Sequence, residues 1–477
     1  MQSLAARVWR GFRRSGAWAG AAPRRPTAVL LLALAAALAG PADGHAGAFR
    51  IIDQGAAAAG QGAAFVAQAD DPSAIYYNPA GMTQLRGVQT YVGATFVGGT
   101  TDFTSDAGRN ATGTFNGSVA WPPPTNVYVT ANLKDLGIKF LGDTTVGIGA
   151  LSPFGSLSRW PDNGPFNTKT TFAALPLIDI KPTIAYKLND QLSIGLGMDI
   201  YTFSRLYGKG QSVSKLNWPG GSGIPAGTPT EVNGRDTSLG FNASFLYTPL
   251  RNADGKPLAN IGFQYRSQAT LHLDGNFLLN GGLNSAATST LVLPQVFTGG
   301  IALWPVRDRA REWKIELDVD YTGWKSVRNT DVHLSSGATL PFPQNWRSIY
   351  TVMVGTEYRF LEIEKLPDWE LALRAGYWNS QSPIPNQTFT PAVPDADNNA
   401  ISVGMGVLCK GTAQFLGLFD CGNEGKSKLR PSSVGLDIAY QAILFDQRSV
   451  TGSSNPTVDG LYKTTYQVGM VNLRVNF

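Results

Sequence analysis

Hydrophobic and polar residues alternate along much of the chain. From Trp313 to Tyr321 the odd positions are Trp, Ile, Leu, Val and Tyr, and Lys314, Glu316, Asp318 and Asp320 stand between them. Successive side chains on a β-strand point to opposite faces, so this segment has one apolar and one charged face. That pattern suits a wall between lipid and a wet lumen. The same period runs through Leu192–Ile200 and Val434–Tyr440. It also runs through the final residues, where Val471, Leu473, Val475 and Phe477 oppose Asn472, Arg474 and Asn476.

Segments of this kind, bounded by turn residues, predict strands near 88–100, 123–133, 145–152, 178–188, 191–204, 237–249 and 259–273. Seven more are expected near 291–304, 312–325, 348–361, 368–379, 400–408, 433–445 and 461–477. The fold class predicted is all-β, a transmembrane 14-stranded antiparallel β-barrel over residues 87–477, with both of its ends on the periplasmic side. Alternate linkers are short, Leu188-Asn189-Asp190 being the tightest, and read as periplasmic turns. The others, including 208–236, 326–347, 380–399 and 446–460, are rich in Gly, Ser, Asn and Pro and read as external loops. Strand parity puts the long 409–432 connection on the periplasmic side.

The first 46 residues suit export. Six arginines between Arg7 and Arg25 precede an apolar run from Ala28 to Ala39, about twelve residues and too short for a membrane-spanning helix of roughly 20. A basic region, a short apolar region and small residues make a secretory signal peptide over 1–46, with cleavage after Ala46. The rest of the chain holds no long apolar run, which excludes a helical membrane protein.

Composition agrees. Gly numbers 54 and charged residues make up only 15%, against about a quarter in soluble proteins. The formal charge of +5 falls to about zero once the leader's arginines and Asp43 are removed, so no nucleic-acid partner is implied. Cys409 and Cys421, twelve positions apart in an exported chain, are candidates for a disulfide. Of the three histidines, His45 lies in the leader, and His272 and His333 form no recognisable metal or nucleophile motif. No enzyme, metal or cofactor is expected.

Residues 47–86 lack strand alternation. Gly55, Gly60, Gly62 and alanines 56–59, 63 and 64 suit short helical turns, and Pro79 and Asn78 suit a fixed bend. A compact plug inside the lumen is expected, because an unplugged barrel of this width would be an open pore. The opening Gly47-Ala48-Phe49 and the run Asn78-Pro79-Ala80-Gly81-Met82 resemble the N-terminal hatch of the FadL family of outer-membrane transporters. Lys181–Gly195, Asp320–Trp324, Asn345–Tyr358, Leu373–Trp378, Ser382–Pro385 and Pro394–Asp397 resemble later family segments in order. The family's Pro-Asp-x-Asp is commonly followed by Arg, whereas this chain has Asn398-Asn399.

The resemblance implies uptake of hydrophobic molecules, long-chain fatty acids or aromatic hydrocarbons, by loop capture, an internal apolar pocket and lateral exit through the wall. Asn78, Pro79 and Ala80 are hatch or gating candidates. Gly147, Gly149 and Pro153 are permissive of a kink in the third strand that would open the wall, since Pro153 cannot donate to a ladder. Apolar surface gains about 25 cal/mol per Å² on leaving water, so a greasy solute needs apolar contacts where a porin has charges. Leu151, Phe154, Leu157, Trp160, Phe166 and Phe172 supply them between strands three and four, and Arg159 and Lys169 are cations in the same loop that could meet a carboxylate. Arg347 is a third candidate cation. Expected partners are the hydrophobic solute, outer-membrane lipid and lipopolysaccharide, and the barrel assembly machinery through terminal Phe477. The chain is expected to act as a monomer. A general diffusion porin is the main rival and would conduct ions through an unplugged barrel.

Overall fold

A computed structural model describes residues 47–477, apart from Tyr207, Leu418 and residues 423–429. The expected signal peptide lies outside the described residues. The wall runs in chain order through β1 (Val88–Thr104), β2 (Thr125–Asn132), β3 (Thr144–Leu151), β4 (Leu177–Lys187), β5 (Leu192–Phe203), β6 (Ser238–Arg251) and β7 (Pro257–Arg266). It continues through β8 (Val296–Arg307), β9 (Arg311–Thr322), β10 (Ile349–Phe360), β11 (Trp369–Ser380), β12 (Asn398–Lys410), β13 (Ser433–Phe445) and β14 (Gly460–Asn476). Each strand pairs antiparallel with its neighbours, and β1 closes on β14 from Gln89↔Asn476 to Thr104↔Leu461. The closed fourteen-stranded barrel expected from the alternation is the fold observed. Closure pairs the first wall strand with the last, so the wall has no edge strand.

Two strand predictions, 259–273 and 291–304, each ran together two strands. The segment read as 259–273 leaves the wall at Arg266, and 269–279 is a separate strand. With 282–293 it belongs to an eight-stranded sheet built by the external connections, including 156–159, 172–175, 212–217, 229–235 and 332–334. Ser267 marks the break: its N–H bonds to the Phe241 carbonyl of β6 and its hydroxyl accepts from Phe241 N–H. Alternation alone cannot tell a wall strand from its continuation above the membrane.

The wall is uneven. β2 and β3 have eight residues each, against 17 in β1 and β14. β1 pairs with β2 only through Val88–Ala94, so its upper half relies mainly on β14. The chain after β3 turns inward: Ile51 N–H donates to Pro153 O (2.9 Å) and Gly155 N–H to Phe49 O (2.9 Å).

Inside the barrel, residues 50–85 form two one-turn helices, α1 (Ala56–Ala59) and α2 (Ala74–Tyr77), and a 3-10 turn over Pro79–Gln84. Short helices leave many backbone N–H groups without partners of their own, and buried donors must find acceptors. The charged face of β9 supplies several. Asp318 Oδ2 accepts from Phe65 and Val66 N–H (2.8 and 2.9 Å), and Glu316 Oε1 accepts from Ala67 and Gln68 N–H (2.7 and 3.2 Å). Asn472 Oδ1 of the closing strand accepts from Ala56 N–H at 2.9 Å. The alternating charges read from sequence as facing water instead face the backbone of the inner segment.

Candidate functional site

Phe49 sits at the head of the inner segment, near the external end of the barrel. Its ring meets Trp324 at 4.8 Å, Trp346 at 5.6 Å and Phe154 at 6.0 Å between centroids. Phe154 also meets Tyr201, at 6.0 Å. A second group in the same cluster packs Phe103, Trp160, Phe166 and Tyr462, with Phe103 and Phe166 4.5 Å apart. All of these side chains are buried. Burial of this much aromatic surface is favourable by a few kcal/mol per ring, so the cluster is a packed apolar body. The Trp160 indole N–H donates to Pro391 O (2.8 Å), whereas those of Trp324 and Trp346 have no hydrogen-bond partner among the described residues.

Phe49 enters the cluster, and the next residue, Arg50, lines a cavity with Arg266, Gln264, Tyr76 and Tyr77. Its volume is about 20 Å³, room for roughly one water. Arg50 is held by Asp320. Arg266 lies flat over the Tyr76 ring at 4.5 Å and stands 3.9 Å from Asp199. Asp199 is already paired with Lys181 and accepts from Asn242 Nδ2 at 3.1 Å. Arg266 Nη2 donates to Tyr76 O at 3.5 Å, but its Nε and Nη1 are buried without a hydrogen-bond partner among the described residues, and Gln264 Nε2 beside them is in the same state. Unmet donors of a buried cation are costly, so this cavity is prepared for an acceptor.

The external connections close over the cluster. Asp395 accepts from Ala48 N–H (3.2 Å) and Ser382 Oγ–H (2.9 Å), tying the start of the inner segment to the 381–397 connection. Burial pushes the Asp395 carboxyl up to about 7, against the pull of the Ser382 hydrogen bond and of Arg448. Arg448, from the connection after β13, donates to Asp395 O (2.8 Å), Ile384 O (2.6 Å) and Ser382 Oγ (3.2 Å) and stacks on Phe389 at 4.7 Å. A cation from the neighbouring connection thus holds the Pro-Asp-x-Asp segment where an arginine after Asp397 is missing.

Sequence-derived candidates fall in several places. Phe154, Trp160 and Phe166 join the aromatic cluster, but Leu151 packs lower, with Ile75 and Tyr128. Leu157 lines a small crevice with Trp160 and Tyr466, and Phe172 is half-buried with Lys215 5.9 Å above its ring. The candidate cations are not at the cavity: Arg159 pairs with Asp162 (2.7 Å), and Lys169 and Arg347 are exposed. Gly147 and Gly149 lie in an unbroken ladder, with β3 paired through Thr144–Leu151 on the β4 side, so neither is a kink. They face inward, where a Cβ on Gly147 would come 2.8 Å from Ile75 Cδ1; they admit the inner segment. The chain leaves the ladder only after Leu151, and Pro153 lies in that departing stretch.

Asn78 is buried, and its Nδ2 donates to Val66 O (2.7 Å) and Phe245 O (3.0 Å) while its Oδ1 accepts from Ala80 N–H (3.1 Å). Pro79 and Ala80 press against Gly195 of β5. Cys409 and Cys421 are disulfide-bonded at the end of β12, packed with Phe415 and Val434. Arg50, Arg266, Trp324 and Trp346 were not singled out as cavity or cluster residues. Strand parity was the available signal for Arg266, which shares the inward face of its strand with Gln264 and Asn260.

A closed antiparallel barrel with outward apolar and inward polar positions, filled by its own N-terminal segment and topped by an apolar cluster, defines an outer-membrane transport protein. The chain belongs to the family described as outer membrane protein transport protein (OMPP1/FadL/TodX), whose sequence profile matches residues 36–414. It is 26% identical over 392 residues to the long-chain fatty acid transport protein of Escherichia coli O6:H1, covering 74% of this chain and 80% of that one. Among solved structures it resembles a Pseudomonas aeruginosa FadL homologue (TM-score 0.69, 17% identity, 90% of this chain and 100% of that one). It also resembles the Pseudomonas putida toluene transporter TodX (TM-score 0.61, 14% identity, 91% and 100%). Members of this family are transport channels and not enzymes, and the protein is an outer-membrane transporter of hydrophobic compounds.

Proposed function

We propose that the cargo is a long-chain fatty acid, captured among the external connections, held with its tail in the aromatic cluster and its carboxylate at Arg266, and released sideways through the wall. The observation that carries this reading is Arg266 Nη1, buried without a hydrogen-bond partner among the described residues in a cavity beside Arg50. A neutral arene would leave it unmet, whereas a carboxylate accepts a charge-assisted hydrogen bond from a guanidinium N–H. The tail needs far more room than about 20 Å³, so binding draws Phe49 and Phe154 away from Trp324. Lateral release fits above β2 and β3, where the wall is lowest and the chain leaves the ladder at Ser152–Pro153. Asn78, Pro79 and Ala80 act here as a fixed anchor between the inner segment and the wall, and Gly147 and Gly149 as the room it needs. The signal peptide directs export and is removed, and terminal Phe477 is read by the assembly machinery of a monomeric barrel.

The aromatic cluster by itself would also suit an aromatic hydrocarbon, so the test compares the two cargoes. In a strain lacking its own transporter, the wild-type chain should restore oleate uptake, and Arg266→Gln should reduce it about tenfold while leaving toluene entry unchanged. Toluene entry without oleate uptake, or equal loss of both in a correctly assembled R266Q barrel, overturns the carboxylate reading. Entry of small hydrophilic solutes alone would instead make the protein a porin.

A further inference from the structure

The connection between β2 and β3, residues 133–143, is at the periplasmic end, yet four of its exposed side chains are large and apolar. Phe140 is 85% exposed, Leu136 51%, Leu141 43% and Ile138 37%. Two other turns at this end are polar: 252–256 reads Asn-Ala-Asp-Gly-Lys and 308–310 reads Asp-Arg-Ala. Single exposed apolar residues are ordinary, but four within six positions form a patch that water does not favour.

The patch is continuous with the lipid-facing wall. Gly142 lies against the Tyr186 ring of β4, where a Cβ would come 3.0 Å from it. Tyr186 pairs with Thr144, and Ile184, two residues up, pairs with Val146. Tyr186, Ile184 and Ile148 all point outward and are exposed, as is Leu188 at the next turn. An outward apolar stripe therefore runs from Ile148 through Ile184 and Tyr186 onto Leu141 and Phe140. Lys139 within it and Lys134 before it carry exposed side chains, Lys134 with its ammonium 3.6 Å from Asp143, and such long stems lie along apolar surface while the charge stays at the interface.

We infer that residues 136–141 form an interfacial foot, with Phe140 and Leu141 set among the acyl chains of the periplasmic leaflet and Lys134 and Lys139 at phospholipid headgroups. Aromatic and aliphatic side chains of such elements enter roughly 5–10 Å below the headgroup boundary. The foot stands under the lowest part of the wall, β2 and β3, and anchors those short strands to the bilayer.

The native cysteines are paired and no free cysteine occurs among the described residues, so one added cysteine can carry a nitroxide. The full-length protein, reconstituted in phosphatidylethanolamine–phosphatidylglycerol vesicles, is labelled at Phe140→Cys or Leu141→Cys, with Ala253→Cys on a polar turn as reference. The second site serves if the first impairs assembly. Label at 140 or 141 should collide with oxygen at least severalfold more than with a water-soluble nickel complex, and label at 253 the reverse. Nickel access at 140 and 141 equal to that at 253 overturns the foot. Protection that appears only as protein density in the vesicles rises also overturns it, and assigns the patch to a second copy of the chain.

Discussion

Arg50 and Asp320 meet as a two-point ion pair, Nη1 to Oδ1 at 2.7 Å and Nη2 to Oδ2 at 2.8 Å, both side chains buried. They are 270 positions apart, and their contact pins the start of the inner segment to the upper end of β9. Thr322 Oγ1 accepts a third bond from Arg50 at 2.9 Å. Arg50 also borders the cavity of Arg266, so the pin and the proposed carboxylate site share a wall.

Removing one member of that pair strands a buried charge. Arg50→Gln and Asp320→Asn should each lower stability by about 3–5 kcal/mol, and the double variant by less than their sum. Denaturant unfolding of the four proteins checks this. Limited proteolysis should also show residues 47–53 cut first in the single variants. Additive losses would mean that the two side chains do not support each other.

Gly195 is a clearance position. A Cβ there would come 2.7 Å from Pro79 Cβ and closer still to the Ala80 backbone. Gly195→Val should push the Asn78–Ala80 anchor off the wall at a cost of about 1–3 kcal/mol or more. The barrel should still run as a folded, heat-modifiable species, because β5 keeps its ladders with β4 and β6. Single-channel recording should then show ion conductance well above the wild type.

The buried Asp395 carboxyl should lose stabilising power as pH rises, because its ionised form must stay out of water. Burial raises this carboxyl to about 7 from an ordinary value of 3.8, so the folded state holds the proton more tightly than the unfolded state. Stability from this group is therefore full below about pH 4, declines as pH rises, and is lost above about pH 7. Three units correspond to at most about 4 kcal/mol. Hydrogen exchange at Ala48–Arg50 and 382–395, corrected for intrinsic rate, should speed up from pH 4.5 to pH 7.5. Asp395→Asn should flatten that change.

Cys409 and Cys421 close a short loop at the foot of β12. Replacing both with Ser should cost about 3 kcal/mol by chain entropy and leave the barrel intact. The β12–β13 ladder runs independently from Asn398↔Phe445 to Lys410↔Ser433. The expected result is a lower denaturation midpoint, earlier cleavage within 410–415 and unchanged uptake.

Much of the wall was legible because a strand between lipid and lumen writes its two environments into alternate residues. Trp313 and Ile315 face out and Lys314, Glu316 and Asp318 face in, as their order in the chain requires. The external sheet was not legible: strands such as 212–217 and 332–334 are short, and their partners lie in other connections. Phe154, Trp160 and Phe166 were readable as apolar residues in an otherwise polar loop, but not their partners. Phe49 finds Trp324 and Trp346 across nearly three hundred residues, and local composition carries no trace of that meeting.

Sequence alone therefore determined the strand number, the two-faced wall, the absence of strands in 47–86 and the family, because each rests on periodicity or on short ordered motifs. Tertiary structure decided what the inward charges do. Glu316 and Asp318 hold backbone N–H groups of the inner segment, Asp320 holds Arg50, and Arg266 is left with donors unmet. A charge at an inward position can face water, a partner or a ligand with the same local sequence. Only the fold, by bringing distant residues within about 3 Å, selects among them.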